Sequence, residues 1–571
     1  MIIRRFVLLV VVAIAAVSLG QDPTTAPVAG FRIAGAVVDH LSGQPLAETT
    51  VVLAPVNDRR DEIIFRTGGD GRFLFSNLLP GKYSLGAKRR GYTLQGFEQH
   101  ESFSTAIAVG PDVDSEHLVF RLRHDASIRG TITDENNDPA ANMHVQLFGS
   151  RMENGENSIH RISQTSTDDR GQYTFPHLQE GTYYVAASGR PWYSDNFGFL
   201  QQARIQNMNP EVRERIEQEA AKLDLVYPMT FYSGALSSNN ATPIQLAVGD
   251  AVAVDITLQP VRSVHIRVPA GAFPEVPGAN DYRGTVVDAN LLRQGFPIPR
   301  ISLFQDAFGT QIRENAMVSV FGNPDGSYEI AGIAPGRYTV QVDSQGNSKL
   351  PSTHQEVYLG GDLDLSTPSG TPLARVSGTM WLDGAPVDKA VVEMRAPDGR
   401  RGYAVEVKKG VFQFNESMPP GQYQVMIASQ TNNSFYLSSL TATGAKVSGR
   451  TVQITSGAAV QLAIVASRGI AQIDGVAKLS NKPKAGVMVL LVPEDMTNNS
   501  GLARRDQSDS DGTFTLRQVV PGKYKLLAIE NGWKLPWADA KVLKPFLANA
   551  LSFAIQPNQK LQLSVEVQSA K

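Results

Sequence analysis

The chain has 571 residues, of which 42% are hydrophobic and 19% charged, with a formal net charge of −2. That length is enough for several packed cores at about 150 residues per domain, and the near-neutral balance excludes the basic footprint of a nucleic-acid or anionic-membrane binder. There is no cysteine, so a disulfide framework, a thiolate metal site and lipid attachment at cysteine are all excluded.

In chain order, the first element is a leader. Arg4-Arg5 precede an apolar run from Phe6 to Leu19, and Ser18-Leu19-Gly20 offers small residues before a cut at Gln21. This is the pattern of a secretory signal over 1–20, too short for a membrane span. A linker over 21–30 follows, and no later stretch is apolar enough to add a span. The expected location is therefore exported: periplasmic, cell-surface or extracellular.

From residue 31 onward one pattern recurs five times. An aromatic residue is followed, ten residues later in four copies and eleven in one, by a tyrosine. The copies are Phe73…Pro80-Gly81-Lys82-Tyr83, Tyr173…Glu180-Gly181-Thr182-Tyr183, Tyr328…Pro335-Gly336-Arg337-Tyr338, Phe412…Pro420-Gly421-Gln422-Tyr423 and Phe514…Pro521-Gly522-Lys523-Tyr524. Pro-Gly predicts a type II turn, with glycine at the left-handed position. After each tyrosine the apolar residues alternate, as in Tyr83, Leu85 and Ala87, which predicts a strand with one buried face. Asp70-Gly71, Asp325-Gly326 and Asp511-Gly512 upstream read as hairpin turns.

A second block opens each unit: Gly35-Ala-Val-Val-Asp39, Gly130-Thr-Ile-Thr-Asp134, and similar runs at Gly284, Gly378 and Gly475. A third closes each with an alternating strand, a turn and a last apolar strand. About seven short strands per unit predict an all-β fold: a tandem array of about five Greek-key β-sandwich domains. The expected boundaries are 31–125, 126–260, 261–371, 372–468 and 469–571.

These motifs resemble the carboxypeptidase regulatory-like domain, most closely in modules one, two and five. Glu180 replaces the turn proline in module two, and Lys409-Gly410 replaces Asp-Gly in module four. The resemblance implies a transthyretin-like, carbohydrate-binding-like sandwich with a non-catalytic role. It brings no active-site residues.

The repeat is broken most in module two, where the stretch from Tyr183 to Gly249 carries an insertion over about 190–240. Asn209-Pro210 and the acidic turn after it predict one helix through Lys222. Around it stand Trp192, Tyr193, Phe197, Phe199, Tyr227, Phe231 and Tyr232. Module five adds Trp533 and Trp537, ahead of a short helix interrupted at Pro545; Trp381 is expected in a core. The candidate ligand-binding residues are Trp192, Tyr193, Tyr232, Trp533 and Trp537, set against the alternative that these rings only pack the insertions.

No catalytic residue, metal site or cofactor is expected. His177-Leu-Gln-Glu180 has the spacing of two zinc ligands, but it falls on repeat positions occupied elsewhere by turn residues. Asp506, Asp509 and Asp511 have the oxygens of a calcium loop, but the other modules keep that turn without its carboxylates. The expected function is a secreted, non-enzymatic scaffold that binds polysaccharide or a cell-surface protein. The alternatives are a protein-interaction or spacer array with no small ligand, and a hydrolase site hidden in the insertion.

Overall fold

A computed structural model describes residues 30–58, 60–153, 155–194, 209–269, 286–287, 300–313, 319–322, 327–343, 352–365, 370–396, 402–430 and 435–569. The expected leader, Phe197 and Phe199, and the Gly284 and Gly326 positions lie outside the described residues. Strands dominate, arranged as five successive β-sandwiches with five separate apolar cores. Among the described residues no helix is long and apolar enough to cross a membrane.

Module one shows the plan. One sheet holds Arg72–Leu78, Phe31–Asp39 and Leu118–Leu122 in that order; the facing sheet holds Ile63–Arg66, Thr50–Pro55, Gly81–Lys88 and Gln95–Gly96, with Ile107–Val109 also on Gly81–Lys88. The opening and closing strands of the module run parallel, Gly35 facing Leu118. The same parallel closure recurs in the other four modules. Each module's end is thereby fixed to its beginning.

That closure explains the opening glycine. A Cβ at Gly35, Gly130 or Gly378 would collide with the carbonyl oxygen of Leu118, Val254 or Leu462, and one at Gly475 would sit 2.5 Å from that of Leu563. The repeat's first aromatic also lies over the bare glycine, as Tyr173, Phe412 and Phe514 do over Gly130, Gly378 and Gly475.

Module three departs from the sequence expectation. Its opening strand is Val264–Val268, which pairs with Tyr328–Ile333 and, in parallel, with Leu363–Asp364. Val286–Val287, beside Gly284, pairs instead with Ser319–Gly322 at the sheet edge.

Among the described residues, the Asp-Gly pairs Asp70-Gly71 and Asp511-Gly512 are not hairpin turns. Gly71 links Ile63–Arg66 in one sheet to Arg72–Leu78 in the other, so it turns the chain between sheets. Gly71, Gly171, Gly410 and Gly512 have φ of 67°, 71°, 79° and 75°, the left-handed conformation that glycine adopts without strain. Each offers its carbonyl to the opening strand, at Val37, Ile132, Met380 and Ala477.

The Pro-Gly pairs also differ from expectation. Gly81, Gly181 and Gly421 have φ of 156°, 158° and 158°, near-extended values that begin the tyrosine strand. The bend lies earlier, at a bulge where Asn77, His177, Gly332 or Gln518 takes φ between 57° and 81°. In modules two to five the tyrosine ring then folds back over the glycine two residues before it, at Gly181, Gly336, Gly421 and Gly522. Its hydroxyl donates to the carbonyl four residues earlier: Tyr83 to Leu79 (3.0 Å), Tyr183 to Gln179 (2.9 Å), Tyr423 to Pro419 (2.9 Å) and Tyr524 to Val520 (2.8 Å). The constant spacing is the reach of one phenol across one corner.

In module two the helix forms as expected, Pro210–Lys222, with the Asn209 side chain accepting from the Glu211 amide. The strand Leu225–Phe231 that follows belongs to the sandwich, pairing with Gly181–Gly189. Tyr227 and Phe231 are therefore buried strand residues.

Candidate functional site

The five candidate residues fall in three places. Trp192 and Tyr193 form a short 3-10 turn after Gly181–Gly189. The Trp192 side chain is 77% exposed, and its ring meets Tyr193 edge to face at 5.7 Å. Tyr193 is anchored, its hydroxyl donating to Glu135 Oε1 at 2.7 Å, while Tyr227 donates to Oε2 of the same carboxylate at 2.7 Å. Burial and the Glu135 contact push both phenols upward, so they stay protonated and donating. Burial tends to raise the Glu135 carboxyl, but the two phenol hydrogen bonds outweigh it and hold the group below its ordinary value. The arrangement sets a flat apolar ring in solvent against a tyrosine that is anchored to an ionised acid. Tyr232 is half-buried and packs on the module-two core.

Trp533 and Trp537 are placed differently from a stacking pair. They are only 7% and 5% exposed, and belong to an apolar cluster with Met488, Leu490, Leu527, Ile529 and Leu543 on the outer face of module five. His100 of module one stacks on Trp533 at 5.1 Å and 6°, and Phe103 lies against it at 5.4 Å. The hairpin tip of module two reaches Trp537, with the Ala538 amide donating to the Gly155 carbonyl at 3.1 Å. These rings are covered by modules one and two because the end of the chain folds back on its beginning. Conversely, Trp381, expected in a core, is 43% exposed on Arg375–Leu382.

The two metal-like motifs have other partners. His177 Nδ1 meets Asp125 at 2.6 Å, whereas Glu180 pairs with Arg123 at 2.8 Å, so the two side chains do not converge. In the aspartate-rich loop, Asp509 accepts from Lys82 and from the Ala106 amide of module one, and Asp506 accepts from the Thr515 amide. An ammonium group occupies the loop. Among the described residues no group of three or more His, Asp or Glu could hold a metal ion.

One constellation was missed by sequence reasoning. At the junction of modules two and three, His265 is clamped between Asp224, 2.8 Å from Nε2, and Glu329, which meets Nδ1. Ser263 Oγ lies 3.4 Å from Nε2 beside a cleft of about 490 Å³. A serine, an imidazole and a carboxylate are thus together, but Ser263 donates to Asp224 and not to the ring. Burial would lower the imidazole, but the hydrogen bonds and charges of the two carboxylates dominate and raise it to about 9. At neutral pH it is an imidazolium without a free lone pair, which is the wrong state for a general base. Only the carboxylates' separation in sequence, across two modules, hid this cluster.

A tandem array of β-sandwiches is the class of protein that this fold defines. Residues 32–121 and 127–204 match the carboxypeptidase regulatory-like domain, and the chain carries repeats of that domain. Residues 472–544 match the family described as BOS complex subunit NOMO1-like, second beta sandwich domain. No curated protein matches the chain. Similar solved structures include the Bacillus anthracis TIE protein, at 9% identity and TM-score 0.15, covering 95% of this chain and 69% of that one. The minor pilin GBS52 of Streptococcus agalactiae is 14% identical with TM-score 0.20, covering 43% of this chain and 99% of that one. The shaft pilin SpaA of Lactobacillus rhamnosus GG is 8% identical with TM-score 0.19, covering 40% and 97%. At those scores the three structures carry no functional inference.

Proposed function

We propose that this chain is an exported, non-catalytic β-sandwich scaffold that holds carbohydrate at the Trp192–Tyr193 turn of module two. The observation that carries this reading is the exposed Trp192 ring, braced by a tyrosine whose hydroxyl is tied to Glu135. A sugar's C–H face packs on such a ring at small entropic cost, because the platform is already fixed. The regulatory-like domains support a binding role, and the leader-like N-terminus supports export. The test is retention of the purified full chain on a panel of polysaccharides and glycans. Retention lost in Trp192→Ala and kept in Trp381→Ala, the exposed tryptophan of module four, supports the site. A chain retained by no member of the panel ends the carbohydrate reading.

A second reading, protein interaction by strand addition, rests on the edge strand Ile63–Arg66. Ile63 and Ile64 are both exposed there, and among the described residues one side of the strand has no neighbour in its sheet. Crosslinking in exporting cells would recover a defined partner, lost in Ile64→Lys. Use of the array as a spacer is disfavoured by the contacts between its first and last modules.

A further inference from the structure

Modules one and five meet through surfaces more than 400 residues apart in sequence. The turn after Arg504–Gln507 docks on the segment around Ile107–Val109, an edge strand of module one. Ser510 donates its amide to the Ala106 carbonyl at 2.9 Å; Asp509 accepts from the Ala106 amide at 3.1 Å and the Ser510 hydroxyl from the Ala108 amide at 2.8 Å. Around this backbone seam, Lys82 pairs with Asp509 and Arg505 pairs bidentately with Glu101 at 2.8 and 3.1 Å. Gln507 reaches the Glu98 carbonyl at 2.7 Å and Thr105 at 2.8 Å. The apolar part is small, chiefly His100 and Phe103 against Trp533.

Three properties of this seam bear on what it can do. It is heterologous: the patch on module one differs from the patch on module five, so copies joined through it would run head to tail. It is mostly polar and charged, like interfaces that tolerate water when open, and unlike the apolar core of a permanent one. It also satisfies the free N–H and C=O groups of an edge strand, which without module five would present an unpaired edge.

We propose that the seam is an exchangeable clasp whose alternative occupant is a second copy of this chain. Closed within one chain, it gives a compact monomer. Opened, module one of one copy, together with the module-two tip that meets Ala538, takes module five of another, with the same hydrogen bonds and ion pairs and no new surface. The closed form is favoured at low concentration because the connection through modules two to four holds the two patches at high effective concentration.

The absence of cysteine makes a direct test clean. Full chains carrying Ala106→Cys with Ser510→Cys, and separately Glu101→Cys with Arg505→Cys, are oxidised at low concentration. An intrachain disulfide in monomeric protein is expected from at least one pair, the second protecting against a variant that folds poorly. Single-cysteine chains, one with Ala106→Cys and one with Ser510→Cys, whose backbones meet in the seam, are then mixed at high concentration and oxidised. The expected product is a 106–510 crosslinked dimer at least five-fold over the 106–106 and 510–510 dimers. Failure of both intrachain bonds in folded protein overturns the clasp. Intrachain bonds with no excess of the mixed dimer overturn the exchange.

Discussion

At the residue scale the repeat is a set of geometric obligations. Gly130→Ala would place a methyl inside contact distance of the Val254 carbonyl and beside the Tyr173 ring. The parallel closing strand must then move, and a cost of about 2–4 kcal/mol is expected from overpacking and lost strand pairing. Hydrogen exchange should locate the loss in module two alone. His265 makes a different demand, on pH. Its pKa is about 9 in the folded chain, against an ordinary value of 6.5. The stabilisation it gives is complete below about pH 6.5 and fades as pH rises through about 9. Asp224 has the opposite sign: burial raises it, but its bonds to His265 and Ser263 leave it lowered, so its contribution is lost in acid. Limited proteolysis at the junction of modules two and three should accelerate between pH 7 and 10, and His265→Gln should cleave quickly across that range. An unchanged pH profile in the variant would remove His265 as the cause.

At the element scale, strands were legible and their corners were not. Alternating apolar residues after Tyr83, Tyr338 and Tyr423 identify strands because a period of two is a local property. The same holds for the Asn209-capped helix. What Asp-Gly and Pro-Gly do could not be read locally. Gly71 is a left-handed residue as a hairpin glycine would be, but the strand that follows it enters the opposite sheet. The bulge at Asn77, His177, Gly332 and Gln518 carries no residue-type signature, since four different residue types occupy it. A sheet-crossing corner tolerates little change. Gly512→Ala would hold alanine at φ of 75° with its Cβ 2.7 Å from Pro483, so a loss of about 2–3 kcal/mol is expected in module five. A denaturant transition assigned to module five by Trp533 and Trp537 emission should shift to lower concentration, with the other modules unmoved.

At the scale of the whole molecule, the array returns on itself, and this decides which aromatic residues are free. Trp192 and Trp533 look alike in sequence, each in a departure from the repeat. Only tertiary contact separates them: Trp192 has solvent in front of it, whereas Trp533 has His100 and Phe103. Since those two residues come from module one, the environment of Trp533 reports on closure of the chain. Phe103→Ala in the full chain removes the larger apolar contact without touching the module-five core, and also uncovers Arg505, whose guanidinium lies 5.3 Å from the Phe103 ring. The expected cost is about 1–3 kcal/mol, below that of a fully buried phenylalanine because Phe103 is only partly buried. Tryptophan emission should shift to the red as Trp533 gains water, and the maximum dimension measured by X-ray scattering should grow as modules one and five separate. Trp192 and Trp381 are already exposed and contribute no shift of their own. An emission spectrum and a scattering profile that both match the parent chain would mean that the polar seam alone holds the ends together, with Phe103 adding nothing to closure.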